Sequence, residues 1–176
     1  MKKSLLNVFT LTFFCLISSL LILFTLTFFC LMSVFVSADN NDDFALGVIS
    51  ESQLLSGFNV FNERFQAFSI NEKEQDIIAQ WPETLHIEVY FGTWCHDSER
   101  EVPKLLKILK ANQHITPTLI ALDYQKEDPQ ALAKESKIKY TPTIIIYRDN
   151  SKKEELGRII ERPNKSLIED INLLLI

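Results

Sequence analysis

A chain of 176 residues with 18 basic and 23 acidic side chains, net −5, has room for one domain and a short extension. Its acidity, and the lack of any Lys/Arg patch interleaved with aromatics, exclude the usual footprint of a nucleic-acid binder. Hydrophobic residues make up 47% of the chain, and their concentration near the start makes the first thirty-eight residues a case apart.

Lys2 and Lys3 precede an uncharged run from Ser4 to Ala38, and Val36-Ser37-Ala38 offers small residues for a cut before Asp39. Together these read as the n-region, h-region and cleavage site of a signal peptide. The run is long because Phe9 to Leu16 recurs unchanged as Phe24 to Leu31, a duplicated h-region. As one helix it would span roughly 50 Å against a hydrocarbon core of about 30 Å, so an uncut leader would stay as a tilted anchor. Either way the lysines hold the N-terminus inside. The folded part is expected to be periplasmic or otherwise extracytoplasmic, touching the inner membrane only through an uncleaved N-terminal segment. Residues 39–176 carry all 23 acids and 16 of the 18 bases, a net −7.

The expected division is therefore a leader over 1–38, a linker and N-terminal helices over 39–84, and a core over 85–176. Asp39 to Asp43 is polar and reads as the linker. Phe58, Phe61, Phe65 and Phe68 recur at helical spacing and predict an amphipathic helix with an aromatic face turned to the core. Asn71 with Glu74 forms a capping pair for a second helix, with Ile77, Ile78 and Trp81 on its inner face and Pro82 as its stop. From Leu85 the pattern becomes alternating and β-rich, ending at Gly92.

The turn Phe91-Gly-Thr-Trp-Cys-His-Asp-Ser98 follows, then a helix whose apolar side is Val102, Leu105, Leu106 and Leu109. Pro103 lies inside that helix, where it is expected to kink it or tighten its first turns. Thr116 to Asp123 predicts a strand, Pro129 to Lys137 a helix, Thr143 to Tyr147 a fully apolar strand, and Leu156 to Ile160 a fourth strand after the turn at Asp149-Asn150-Ser151. The chain closes with a helix from about Lys165, capped by Ser166 and Glu169, with Leu167, Ile168, Ile171 and Leu174 facing inward. This order implies an α/β fold with a mixed central sheet flanked by helices and an N-terminal helical extension.

With Cys15 and Cys30 in the leader, Cys95 is the one cysteine of the exported part and has no internal partner. In an oxidising compartment such a thiol is either buried or used. At a strand-to-helix turn it sits over helix N-terminal amides, which favour thiolate over thiol. Buried as a small hydrophobe it would do nothing. His86, His96 and His114 are scattered and no metal-ligand spacing appears, so no metal site is expected.

Trp94-Cys95-x-x-Ser98 after a strand, Pro103 in the next helix, and Tyr140-Thr-Pro-Thr143 before another strand resemble the thioredoxin-like superfamily. More narrowly, Gly92-Thr-Trp-Cys-x-Asp-Ser98, Arg100-Glu-Val-Pro103 and Leu156-Gly-Arg-Ile-Ile-Glu-Arg-Pro163 resemble a set of bacterial exported thioredoxin-like proteins. The resemblance implies a thioredoxin-like fold in which Cys95 is the nucleophile. It also implies that Pro142 is cis, with Thr141 contacting substrate backbone beside the sulfur. Trp94 and His96 would border the substrate; Trp94 would shield the sulfur or simply pack in the core.

Ser98 departs from the family, whose resolving cysteine it replaces. Its hydroxyl cannot form a disulfide, so Cys95 could begin exchange but would need an outside thiol to finish. Ser98 reads either as a helix cap paired with Glu101 or as a donor to the Cys95 thiolate. Val89 stands where the family keeps a buried acid, with Glu88 expected on the opposite strand face. No cofactor is expected apart from an external thiol such as glutathione, and the expected partners are protein thiols and disulfides or a small thiol.

The leading expectation is therefore thiol–disulfide exchange through a single cysteine, as isomerase, deglutathionylating enzyme or externally resolved reductase. The alternative is a non-catalytic protein-binding module on the same fold. The third is a thiol peroxidase, with Thr93 and Arg100 as stand-ins for its activating groups.

Overall fold

The computed structural model describes residues 44–176. The leader, its cut after Ala38 and the linker Asp39–Asp43 lie outside the described residues. The centre is a five-stranded mixed sheet in the order β1-β3-β2-β4-β5. Its strands are β1 (Gly47–Ile49), β2 (His86–Phe91), β3 (Thr118–Ala121), β4 (Thr143–Tyr147) and β5 (Glu155–Ile160). β2 and β3 run parallel, whereas β1–β3, β2–β4 and β4–β5 are antiparallel. Helices flank this sheet, so the fold is the mixed α/β architecture that the order of elements implies.

Among the described residues three helices precede β2: α1 (Glu51–Gly57), α2 (Asn59–Ala67) and α3 (Glu72–Ala79). Two of them start with reciprocal caps: Ser50 with Gln53, and Asn71 with Glu74. The Phe58–Phe68 repeat is not one continuous helical face. Phe58 and Phe68 have extended backbone and cap α2 at its two ends. Phe61 and Phe65 alone are helical, and both are buried.

Among the described residues a strand, β1, precedes these helices, where helices alone were expected. β1 is three residues long, too short to show an alternation, and its pairing with β3 supplies what its side chains do not. Gly47 has φ +82, and an added Cβ would lie 3.3 Å from the Gln130 side chain. Only glycine takes that backbone easily.

α4 (His96–Leu109) is continuous through Pro103, and its apolar side, Val102, Leu105, Leu106 and Leu109, is buried. α5 (Leu132–Glu135) is a single turn, shorter than the Pro129–Lys137 pattern suggested. The amides of Gln130, Leu132 and Ala133 all donate to the Asp128 carboxylate, and Ala131 takes a left-handed backbone. That side chain competes with the helix ladder for its first donors. α6 (Leu167–Leu174) has half the expected box: Ser166 Oγ accepts from the Glu169 amide at 3.1 Å, while the Glu169 carboxylate faces Lys165 Nζ at 3.7 Å.

Central strand β2 is buried on both faces, and this positions the site. Ile87, Val89 and Phe91 join the main core, which α2, α4 and α6 cover. Glu88 and Tyr90 face the other way, where Ile120, Leu122, Ile145 and Tyr147 form a smaller cluster with α5. Held from both sides, β2 delivers the chain at a fixed point into the turn before α4. Its last carbonyl, on Phe91, accepts from Leu122 N at 2.8 Å.

Candidate active site

Cys95 is the N-cap of α4, and no side-chain cap bond is made there. Its amide donates to the Gly92 carbonyl at 3.0 Å, closing the turn, and its carbonyl accepts from Glu99 N at 2.9 Å, opening the helix. The amides of His96, Asp97 and Ser98 at this first turn have no carbonyl earlier in the helix to bond. The thiol is partly exposed. Its Sγ donates to the Thr141 carbonyl oxygen at 3.2 Å, across 46 residues of sequence.

The Thr141–Pro142 peptide bond is cis. Thr141 is buried, and Thr143 Oγ1 donates to the Tyr140 carbonyl at 2.7 Å, tightening the loop into β4. The structure thus brings Cys95, Thr141 and Pro142 together. Tyr140 beside them is 51% exposed.

Trp94 packs as part of the turn. Its Nε1 donates to the Leu122 carbonyl at 2.9 Å, and its ring stacks on Tyr124 at 4.8 Å between centroids. Phe44 meets Tyr124 edge-on at 5.3 Å, extending the row. Gly92 makes room for this: a Cβ there would lie 2.5 Å from the indole. Thr93 is buried and its Oγ1 accepts from Ala45 N at 3.0 Å, tying the turn to the segment before β1.

Tyr124 is the site residue that the sequence pattern did not reveal. A signal existed in the register: β2 and β3 are parallel, Phe91 pairs with Ala121, and residues just beyond both strands must therefore meet at the same sheet edge.

Ser98 is fully buried, and its Oγ accepts from Gly92 N at 3.3 Å. It is therefore not the helix cap, a position Cys95 holds, because α4 begins three residues earlier than the Ser98–Glu101 pattern implied. Nor does its hydroxyl bond the sulfur; it secures the turn.

The charged neighbours of Cys95 are paired among themselves. His96 is 76% exposed in its side chain, with Nδ1 3.4 Å from Glu99. Asp97 holds Arg100 at 2.6 Å, and Arg100 also reaches Glu101 at 2.5 Å. Those two acids, Glu101 foremost, hold the Arg100 guanidinium above its usual range. The structure therefore does not aim His96 at the sulfur.

Val89 is packed in the main core with the apolar side of α4. The nearby acid, Glu88, lies on the opposite sheet face among other partners. It accepts from Tyr90 Oη at 2.9 Å and Lys152 Nζ at 2.8 Å, with His86 Nε2 at 3.5 Å short of a formed hydrogen bond. Among the described residues no cluster of His, Cys, Asp and Glu is placed to hold a metal ion.

Residues 58–169 match the thioredoxin family, described as Thioredoxin. Among solved structures, a protein of unknown function from Pseudomonas aeruginosa is similar at TM-score 0.55 and 14% identity, over 72% of this chain and 97% of that one. At that identity the likeness speaks for the fold alone. An HIV epitope scaffold aligns at TM-score 0.49 and 14% identity, over 72% of this chain and 88% of its own. Mitochondrial thioredoxin 3 from Saccharomyces cerevisiae aligns at TM-score 0.34 and 20% identity, over 55% of this chain and 86% of that one. Neither of these last two carries an argument. No curated protein matches the sequence.

Proposed function

The chain belongs to the thioredoxin family, and from that premise we propose that it acts in thiol–disulfide exchange with Cys95 as its single nucleophile. One observation carries the reading. The sulfur sits partly exposed at the first turn of α4, 3.2 Å from the carbonyl that precedes the cis proline. A thiolate at this N-cap position lies at the positive end of the helix dipole, and its partial exposure leaves it open to attack on a client sulfur.

In the first step the Cys95 thiolate attacks one sulfur of a client disulfide. A mixed disulfide forms, and the second client sulfur leaves as a thiolate. Ser98 cannot displace the client, so resolution falls to a thiol from outside the protein. Isomerisation, deglutathionylation and externally completed reduction all share this first step. The leader supports work outside the cytoplasm, on the reading that Lys2, Lys3 and the apolar run export the chain.

The test is trapping in the native host. Mixed disulfides through Cys95 should be recovered by mass spectrometry, and the thiol should be alkylated faster than a model peptide thiol. Alkylation at the peptide's own rate, with no adducts, would sink the reading.

A second reading, a binding module without turnover, is favoured by Ser98 Oγ being engaged by Gly92 N and by Val89 in place of an acid. The two readings part on Cys95→Ala. A binder should capture the same clients as the parent protein, whereas an exchanger should lose them. The peroxidase reading lacks its supports, since Thr93 Oγ1 is taken up by Ala45 N and Arg100 by Asp97 and Glu101.

A further inference from the structure

The backbone between α5 and the cis proline presents a row of lysines beside the reactive sulfur. Residues 134–140 hold Lys134, Lys137 and Lys139 against one acid, Glu135, in a chain of net −5. All three lysines are exposed. Arg100, Lys104 and Lys165 are each held by an acid, whereas among the described residues none of these three makes an ion pair. We propose that this row is a docking strip for an acidic protein segment, and that it selects clients whose reactive sulfur is flanked by carboxylates. The proposal rests on the exchange reading and names the client by its chemistry.

Thr141 connects the strip to the sulfur, because its carbonyl accepts from Cys95 Sγ at 3.2 Å. Lys139 lies two residues before Thr141 and Lys137 four, at most about 7 and 14 Å along an extended chain. Residues of an extended client follow one another at about 3.3 Å. A client sulfur at Cys95 therefore brings its near neighbours within reach of both ammonium groups.

The strip is pinned along its length. At its start, Ser136 Oγ lies 2.7 Å from Tyr90 Oη, and the Ser136 carbonyl accepts from Arg158 Nη1 at 3.1 Å. In the middle, Ile138 N donates to the Ala133 carbonyl at 2.8 Å, and the Ile138 side chain packs on the smaller core cluster. At its end, Thr143 Oγ1 donates to the Tyr140 carbonyl at 2.7 Å. With Ile138 turned inward, Lys137 and Lys139 on either side of it are left outside. A surface ordered before binding costs less to dock on.

The acids around the sulfur do not cancel this charge. Asp97 is bound by Arg100, and Glu99 lies 3.4 Å from His96 and 3.9 Å from Arg64. Glu135 and Glu161, both exposed, are outnumbered by the three lysines. A compact ammonium on a flexible stem needs no single carboxylate geometry, which suits acidic stretches of varied sequence. Tyr140, exposed between Lys139 and Thr141, adds an aromatic face for the client's apolar side chains. Continuity with the thiol points to a protein that carries sulfur rather than to a lipid surface.

In the exchange step the Cys95 thiolate attacks the client sulfur. The client's S–S bond breaks, a Cys95–client disulfide forms, and the second sulfur leaves as a thiolate. The lysines make and break no bond; they raise the encounter rate with acidic segments.

The test uses the full, reduced chain and two blocked pentapeptides, each with a central cysteine activated as its thiopyridyl disulfide. One carries glutamates on both sides of the cysteine, the other glutamines. Release of thiopyridone is followed by absorbance, and each rate is divided by that of a model cysteine peptide with the same probe. At low ionic strength the glutamate probe should be preferred about tenfold, the lower end of electrostatic rate enhancement. Most of that preference should vanish in 1 M salt, where the screening length is about 3 Å. Lys137→Gln with Lys139→Gln should remove most of it, and Lys137→Glu with Lys139→Glu should turn it against the glutamate probe. Exchange faster than the model peptide but without a preference, or a preference that survives 1 M salt or either double variant, overturns this proposal alone. Exchange with both probes at the model-peptide rate overturns the exchange reading and this proposal with it. No preference between probes, with binding to phosphatidylglycerol vesicles that the double variants lose, assigns the lysines to an anionic lipid surface and overturns it too.

Discussion

Ser98 stands where a dithiol enzyme would hold its second sulfur, and the structure gives its hydroxyl a different task. Fully buried, it accepts the Gly92 amide at 3.3 Å and so ties the start of the turn to the first turn of α4. Removing it should loosen the turn without altering the chemistry at sulfur. Ser98→Ala is expected to cost about 1 kcal/mol in urea unfolding, the net worth of one hydrogen bond. The alkylation rate of Cys95 should stay within about twofold of the parent, far less than one pKa unit of thiolate stabilisation would change it. A drop of tenfold or more would show that the hydroxyl supports the sulfur after all. The sequence could not choose between these roles, because Ser98 is equally well spaced to cap a helix, to face Cys95 or to reach back to Gly92. Only the observed start of α4 at His96 decides it.

Strand β2 shows how an element acquires a second buried face. Its alternation suggested one apolar side and one polar side, yet Glu88 is only 4% exposed. With β3 on one side, β4 on the other and helices over both faces, the polar side is buried as well. Buried polar groups must find partners, and here Lys152, Tyr90 and Tyr147 converge on the Glu88 carboxylate.

Burial pushes the Glu88 carboxyl up, but Lys152 and Tyr90 outweigh it and hold the group below its usual range. Such a carboxylate adds stability above its unfolded value of about 4.5 and loses it as pH falls through the folded value. Burial, with Glu88 beside it, raises the Tyr90 phenol, so its contribution is present below about pH 10 and lost as pH rises further.

Lys152→Met keeps the aliphatic stem and removes the charge. It should cost about 1–3 kcal/mol near pH 7, the penalty of an underpaired buried carboxylate. The gap between variant and parent should narrow as pH falls through the lowered folded value of Glu88, where the carboxyl becomes protonated in the parent as well. Urea titrations at several pH values give the answer, and a gap independent of pH would remove Lys152 from this role.

At the scale of the molecule, the N-terminal helices are built into the main core. Phe61, 1% exposed, packs its ring 6.0 Å from Phe91, the residue that ends β2 and begins the reactive turn. α2 runs against α4, where Lys107 Nζ lies 4.5 Å over the Phe65 ring. Phe61→Ala should therefore cost about 3–5 kcal/mol, as for other buried aromatics cut to alanine. Unfolding should remain a single transition by both fluorescence and circular dichroism. A separate early transition for the N-terminal helices would mean that they fold as an independent layer.

What the sequence determined by itself was whatever depends on near neighbours. The Asn71–Glu74 cap, the β-rich run into Gly92, the inner face of α4 and the apolar strand at Thr143–Tyr147 all rest on residues a few positions apart. Local sterics and hydrogen bonding dictate these before any tertiary contact forms. Cys95 was legible for the same reason, as the junction of two periodicities.

Tertiary structure alone decided what depends on distant segments meeting. β1 exists because β3 is there to pair with it. Thr141 meets Cys95 and Tyr124 meets Trp94 only because the sheet order β1-β3-β2-β4-β5 brings their strand ends to common edges. Spacing along a chain cannot encode such meetings, since burial of a shared core selects the partners and the register then sets the distances.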